Sequence, residues 1–393
     1  MQLLLTFIVE SLFPLVLNLY FINFCAEIMS EKRSNPNFSK SQAAEITKRL
    51  FGLTPSEMDP LPSYYDQNFY VTTAGGAKYV LKIFNFKDSE NPTLIGVQVQ
   101  CMSFLYQNGL PVPTAVPTTS GQLMSLEEAD FGCGYQKYLV ILLTFLPGTT
   151  ISKVPSTPQL LYEVGRTAAR MDKTLQNFQH PHYDELQRDQ FIWSLSNIPL
   201  LEGYLHVLDG DPLKEVVEAL INQYKTSVIP KRSSFCSSLI HADLNDLNIL
   251  VQPDENGDHL ISGIVDFSDM QFGYYIYELA ITIMYMMMEH PNPIEVGGPV
   301  LAGWESVLPL NEAEKDCLYT LVISRFCQSC VLARYLVLLH PENAEYVIST
   351  SEKGIPLLHQ LWERGKEEVE KVWFEGASQY NHEKKEFKVL TSI

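Results

Sequence analysis

His241, Asp243 and Asn248 fall on one short stretch, Ile240-His241-Ala242-Asp243-Leu244-Asn245-Asp246-Leu247-Asn248. Asp266 follows at the end of the apolar run Ile264-Val265. Apolar runs on either side of polar residues predict strands that deliver those residues into loops. These residue types at this spacing suit phosphoryl transfer. The Asp243 carboxylate can orient a hydroxyl nucleophile or accept its proton. The amide oxygen of Asn248 and the carboxylate of Asp266 can hold Mg²⁺ against nucleotide phosphates. Such a reaction is mostly positioning and charge neutralisation, so it asks for these groups. Asp and Asn also decorate ordinary turns, but a turn does not require the His, both Asp, the Asn and two flanking strands together.

The run His-x-Asp-x4-Asn resembles the catalytic loop of kinases, and Asp266-Phe267-Ser268 resembles their metal-binding Asp-Phe-Gly turn. Protein kinases usually carry Arg just before the Asp and Lys two residues after it; here Ala242 and Asn245 stand there. The loop is therefore more similar to that of the aminoglycoside phosphotransferases, choline kinases and their relatives, which phosphorylate hydroxyls of small, usually cationic molecules. The resemblance implies an α+β, two-lobed, protein-kinase-like fold, with a small β-rich N-lobe and a larger, mainly helical C-lobe. Longer runs are similar to the branch of that family acting on 5-hydroxy-L-lysine. Among them are residues 61–69, Met171-Asp172-Lys173-Thr174, Phe191-Ile192-Trp193-Ser194 and Ser324-Arg325-Phe326-Cys327-Gln328-Ser329. That branch implies GTP as phosphate donor, with ATP the alternative, and a small cationic amino acid as acceptor. Asp246 and Asp269, beside the catalytic groups, are candidates to meet the acceptor's ammonium.

Such a site needs a phosphate-binding cation delivered by a strand. Lys82, alone in Tyr79-Val80-Leu81-Lys82-Ile83-Phe84, follows a hairpin turn expected at Ala74-Gly75-Gly76-Ala77. The alternative is an outward Lys on an edge strand. No Gly-x-Gly-x-x-Gly precedes Lys82; the polar loop 62–68 takes its place, with Asn68 the candidate for phosphate contact. A helix over 93–107, closed by Asn108-Gly109, should offer a Glu to hold Lys82. Gly96 stands about where that Glu belongs, leaving Gln98 or Gln100 as neutral substitutes. The apolar run 138–146 predicts a buried strand whose end, at Thr144 and Phe145, offers backbone groups to the purine edge. Two more departures from the family pattern are Ala242 and Ser268, where Gly is usual. A positive φ at Ser268 would cost about 1–2 kcal/mol. One alternative is a kinase for another small hydroxylated amine, such as an amino alcohol or amino sugar; weakened catalysis, or a nucleotide-binding scaffold without turnover, is the alternative these departures motivate.

Helices are also expected at 39–52, capped by Ser39 or Ser41, and at 158–176, 213–227, 277–289, 312–339 and 357–378. Glu278 reads either as a lobe-stabilising acid or as a helix-start charge. The Met-rich run 284–288 reads as core. The domain reading is residues 1–38 as an extension, 39–147 as the nucleotide-binding N-lobe, 148–380 as the catalytic and substrate-binding C-lobe, and 381–393 as a tail. Residues 1–28 lack a basic start and a cleavage pattern, so they read as an upstream extension or non-native sequence, with a membrane anchor the minor alternative.

Composition bounds the rest. With 46 Asp plus Glu against 28 Lys plus Arg, the net charge is −18 over 393 residues. That excludes a basic nucleic-acid surface and would welcome a cationic acceptor. Seven scattered cysteines form no disulfide framework and suit a reducing, cytoplasmic compartment. Cys327-Gln328-Ser329-Cys330 has metal or redox spacing, but it lies in an apolar helical run with no second pair, which favours two buried thiols.

Overall fold

The computed structural model describes residues 35–63, 65–132, 134–288, 290–339 and 344–391; the expectations for residues 1–28 lie outside these. The chain divides into two compact units. Of the described residues, the first draws on 35–92, Pro117–Leu142 and Leu339, the second on Thr93–Val116, Leu143–Leu338 and 344–391.

The first unit opens with the helix Lys40–Phe51. Ser39 caps it reciprocally: its Oγ accepts the Gln42 N–H, and the Gln42 side chain accepts the Ser39 N–H at 2.8 Å. Gly52 ends it at φ 68°, a conformation open to glycine. Five strands follow, β1 (Pro55–Leu61), β2 (Gln67–Thr73), β3 (Lys78–Ile83), β4 (Ser125–Asp130) and β5 (Tyr135–Thr144), in the sheet order β1-β2-β3-β5-β4. The expected hairpin turn joins β2 to β3, with Gly76 at φ 80°. Strand alternation buries Phe69, Val71, Leu81 and Ile83 on one face. Lys82 points to the other face and is still only 7% exposed, on an interior strand of the sheet. An edge lysine reaching for solvent is therefore ruled out.

The second unit is mainly helical, with two small sheets. β6 (Thr149–Thr150), β8 (Ile249–Pro253) and β9 (His259–Ile264) form one; β7 (Ser237–Ile240) and β10 (Gln271–Tyr274) form the other. The stretch from His241 to Asn248 is the connection from β7 to β8, and Asp266 lies between β9 and β10, as the apolar runs predict. The helix Pro158–Leu175, capped by the Thr157 hydroxyl, crosses the helix Gly297–Glu305 where two glycines meet facing backbone. A Cβ on Gly165 would overlap the Val300 carbonyl, and one on Gly303 would overlap the Tyr162 carbonyl. Tyr275–Met287 is buried throughout, so the Met-rich run is core.

Glu312–Leu339 is long and apolar enough to cross a membrane, but most of that stretch is buried inside the protein. It carries Cys327 and Cys330, both buried thiols outside any disulfide. The helix expected at 213–227 is regular only over Leu213–Gln223 and widens into a π turn at Tyr224–Val228. Thr226 and Ser227 hydroxyls there bond back to the carbonyls of Asn222 and Gln223, competing with the helical ladder. The last helix, Ala344–Thr391, is longer than expected and is broken at Gly365, φ 77°.

Candidate active site

In the first unit, β2 and β3 pair so that Asn68 lies opposite Lys82. Asn68 is thus a strand residue rather than a loop residue, and its Oδ1 is buried without a hydrogen-bond partner among the described residues. An orphaned acceptor beside a buried ammonium is an arrangement a ligand would complete. The acid that holds Lys82 comes from the turn before β2: Asp66 Oδ2 lies 3.0 Å from Lys82 Nζ, with the two side chains 8% and 9% exposed. Asp66 is fixed in turn, its Oδ1 accepting the backbone N–H of Asn85 at 3.0 Å and the Asn85 amide at 3.1 Å. The helix Pro92–Gln107 supplies no acid, and Gln98 on it donates instead to the Ser268 carbonyl at 3.0 Å.

In the second unit, the Asp243 carboxylate is held on both oxygens. Oδ2 accepts from Asn245 at 2.8 Å and from Asn248 at 3.0 Å. Oδ1 accepts from Arg325 Nη2 at 3.1 Å. Arg325 is itself pinned: Nη1 donates to the Trp193 carbonyl at 3.0 Å and to Gln328 Oε1 at 2.9 Å. Burial pushes the Asp243 carboxyl well up, and the charges of Asp269 and Asp266 add to this, while Arg325 pulls it down. Glu278 adds a third like charge, and the balance is upward because desolvation and these charges outweigh one guanidinium.

The backbone beneath Asp243 is equally constrained. Ala242 sits at φ 66°, with its N–H donated to Glu278 Oε2 at 2.8 Å. Glu278 is fully buried in the first turn of Tyr275–Met287, so it is the lobe-stabilising acid of the two readings. Its carboxyl is pushed up by burial and drawn back by the backbone N–H groups it receives. Asp172, also fully buried, has neither carboxylate oxygen hydrogen-bonded among the described residues; burial and the neighbouring Glu278 push it well up, toward the neutral acid. His241 donates from Nε2 to the Val265 carbonyl at 3.0 Å and accepts the Asp243 N–H on Nδ1 at 3.3 Å, which requires the neutral ring. Burial lowers its pKa to about 4.

The metal candidates fit a hard cation. The Asn248 amide nitrogen donates to Asp243, turning Oδ1 of the same amide the other way. Asp266, exposed and at φ 60°, receives the Ser268 hydroxyl on Oδ1 at 2.8 Å. One amide oxygen and one carboxylate, completed by waters and phosphate oxygens, match the way Mg²⁺ is usually held. The like charges of Asp243, Asp266 and Asp269 are the electrostatic counterpart, since a cation would relieve them. Among the described residues no cluster of three or more His, Cys, Asp or Glu forms a metal site of another kind. Ser268 does not take up positive φ; that conformation falls on Ala242 and Asp266.

Asp246 is half-buried in the same loop, and Asp269 is half-buried next to Ser268. At the end of β5, the Thr144 N–H is already donated to the Thr114 carbonyl at 2.9 Å, and its hydroxyl accepts the Thr114 N–H. A purine edge would thus meet the Thr144 carbonyl rather than its amide. Phe145, half-buried, follows directly.

Asp66 and Arg325 are the residues that pattern reasoning passed over. Asp66 lies within the polar loop 62–68, where an Asp reads as a turn former, and the family pattern directs attention to the later helix. Arg325 carried a usable signal: a cation amid Leu321, Val322, Ile323, Phe326 and Cys327 must find a buried partner.

Residues 57–313 match the model of the APH phosphotransferase enzyme family. The chain is 57% identical to a hydroxylysine kinase of Danio rerio over 90% of its own length and 99% of that protein. It is 27% identical to a homoserine kinase of Gluconobacter oxydans (strain 621H), over 70% of this chain and 79% of that one. Among solved structures, an amicoumacin kinase in complex with AMP-PNP and Ca²⁺ shares the fold, with a TM-score of 0.61 at 17% identity over 88% of this chain and 96% of that one. The held carboxylate, the oxygen donors beside it and these likenesses agree: the chain is a phosphotransferase acting on an alcohol group, and it belongs to the APH phosphotransferase enzyme family and, within it, to the hydroxylysine kinases.

Proposed function

We propose that the chain transfers the γ-phosphate of GTP to the side-chain hydroxyl of 5-hydroxy-L-lysine, giving 5-phosphohydroxy-L-lysine and GDP, with Mg²⁺ and in the cytoplasm. The observation that carries the acceptor is the 57% identity to the hydroxylysine kinase of Danio rerio, spread over 99% of that protein. The acidic surroundings of Asp243 suit an acceptor whose hydroxyl neighbours an ammonium.

In the second unit, Asp243 orients the hydroxyl and takes its proton as the oxygen bonds to the γ-phosphorus and the bond to the β-phosphate oxygen breaks. A carboxyl pushed upward is the better base for this. Arg325, Asn245 and Asn248 fix the direction in which it accepts. Bound at Asn248 and Asp266, Mg²⁺ would neutralise the phosphates. In the first unit, Lys82, steadied by Asp66, is the cation for the nucleotide phosphates.

The test is phosphate transfer to 5-hydroxylysine, lysine, choline and an aminoglycoside, with Mg²⁺ plus GTP or ATP. Transfer to hydroxylysine but not lysine, faster with GTP, is the expected result. Transfer only to another acceptor would keep the mechanism and replace the substrate. Nucleotide binding without transfer would make the chain a scaffold. Asp243→Asn should lower turnover about 10²–10⁴-fold with nucleotide affinity nearly intact.

A further inference from the structure

We propose that Gln98 and Arg188 are positioning residues for the metal ion: together they clamp the Ser268 carbonyl and through it hold Asp266. This rests on the Mg²⁺-assisted transfer proposed above.

Short links connect these residues, all within the second unit. Gln98 Nε2 donates to the Ser268 carbonyl at 3.0 Å, and Arg188 Nη1 donates to the same oxygen at 2.8 Å. Ser268 in turn donates twice to Asp266 Oδ1, from its hydroxyl at 2.8 Å and from its N–H at 3.3 Å. A carbonyl oxygen has two lone pairs and can take both donors. A shift of the Ser268 backbone would break both bonds and carry the Asp266 carboxylate with it.

Asp266 needs such a hold. It sits at φ 60°, which residues other than glycine keep only where their surroundings impose it. Its side chain is exposed, so packing does not impose it. On one side of Asp266, His241 holds the Val265 carbonyl at 3.0 Å, and its ring meets that of Phe267 with centroids 4.6 Å apart. The clamp on Ser268 is the matching hold on the other side.

Both donors are themselves placed. Gln98 is 5% exposed, and a buried amide turned away from this carbonyl would forfeit a hydrogen bond. An ionised Glu there would offer no donor at all, so the neutral amide suits the task. The Arg188 Cζ lies 3.6 Å from the centre of the Phe191 ring, which sets the plane of the guanidinium. The Phe191 N–H donates to the Arg188 carbonyl at 2.9 Å, and Ser194 N–H donates to the Phe191 carbonyl at 2.9 Å. Gln328 donates to the carbonyls of Ile192 and Ser194, and Arg325 to that of Trp193. Arg325 also holds Asp243 at 3.1 Å. The helix Glu312–Leu339 therefore steadies the catalytic carboxylate directly, and the metal-binding carboxylate through Arg188 and Ser268. Both carboxylates are referred to one frame before any ligand arrives.

The experiment titrates Mn²⁺ into the full chain with GDP bound and reads the free ion by electron paramagnetic resonance. The variants are Gln98→Leu, Arg188→Met and the two combined. Gln98→Leu changes no charge, so its effect on ion affinity reports position. The charge lost in Arg188→Met cancels when its effect is compared with and without Gln98→Leu. Gln98→Leu should weaken Mn²⁺ binding about 3- to 10-fold, the scale of one lost hydrogen bond. The Mg²⁺ concentration at half-maximal transfer should rise in parallel, with the KM for hydroxylysine unchanged. Because either donor can hold the oxygen, the combined variant should lose more than the product of the single losses. Unchanged Mn²⁺ affinity in Gln98→Leu, even with a lowered urea midpoint, overturns the proposal by making the contact structural only. A combined loss equal to the simple product overturns it too. If Gln98→Leu does not fold, Gln98→Asn, whose amide falls one methylene short of the carbonyl, is held to the same criteria. Weakened Mn²⁺ binding with no transfer to hydroxylysine by any variant or the unsubstituted chain upholds the clamp and overturns the proposed reaction. An unsubstituted chain that binds no Mn²⁺ with GDP overturns the metal assignment and the clamp with it.

Discussion

Arg325 Nη2 lies 3.1 Å from Asp243 Oδ1, and the arginine is 1% exposed while the aspartate is 21% exposed. Protein kinases place a cation inside the catalytic loop, two residues after the Asp; here that position is Asn245, and the cation arrives from the helix Glu312–Leu339. Two consequences follow. Arg325→Met would remove the guanidinium that faces Asp243 beside Asp266 and Asp269, and should cost about 3–5 kcal/mol of stability, as broken buried pairs do. Adding Asp243→Asn should return part of that stability and none of the activity. Urea unfolding of the two single variants and the double variant measures the coupling; strictly additive losses would show that the two residues do not act as a pair.

Asp66 should behave as part of the nucleotide machinery. Asp66→Asn keeps an oxygen for Asn85 but removes the charge facing a nearly buried Lys82. Nucleotide KM is expected to rise about tenfold or more, with the acceptor KM little changed and a stability loss of up to about 3 kcal/mol. An unaltered nucleotide KM would reduce Asp66 to a turn former.

The two glycine departures should respond in opposite ways. Ala242 carries φ 66°, so Ala242→Gly removes strain of about 1–2 kcal/mol and adds back some chain entropy. The expected net result is a gain of up to about 1 kcal/mol with activity retained. Ser268→Gly removes the hydroxyl bonded to Asp266 at 2.8 Å and relieves no strain. It should weaken Mg²⁺ activation, read as a higher Mg²⁺ concentration at half-maximal rate.

What could be read from the sequence was local. The hairpin before Lys82, the Ser39 cap, the helix closed at Gly109 and the strand-loop-strand setting of Asp243 all rest on neighbours in the chain. The partners of the site residues come from afar. Asp243 meets Arg325 across 82 positions, and Ala242 meets Glu278 across 36. No periodicity carries such pairings. The acid for Lys82 was only 16 positions away, yet the residue type favoured a turn reading, and the family pattern pointed to the later helix. Ala242 and Ser268 both stand where Gly is usual, and residue type alone does not say which of the two turns needs positive φ; the backbone places it at Ala242 and Asp266.

His241 makes the fold sensitive to acid. The ring is fully buried, bridges the Val265 carbonyl and the Asp243 N–H, and packs edge-on to Phe267 with centroids 4.6 Å apart. Both hydrogen bonds use the neutral ring, and burial sets its folded-state pKa at about 4, against about 6.5 when unfolded. The unfolded chain therefore takes up the proton first. Stability from this group is complete above pH about 6.5, falls as pH drops toward 4, and changes no further below that. The span corresponds to about 3 kcal/mol. Asp172, Glu278 and Asp243, with raised folded-state values, contribute in the opposite sense, losing stability as pH rises through those values. A comparison with His241→Gln isolates the histidine, since the amide can still donate to the Val265 carbonyl but does not titrate. Urea midpoints between pH 7 and pH 4 should fall more steeply for the unsubstituted chain than for His241→Gln. Parallel slopes across that range would mean that the ring accepts its proton without disturbing the loop, and that its neutrality is not what holds the Asp243 backbone in place.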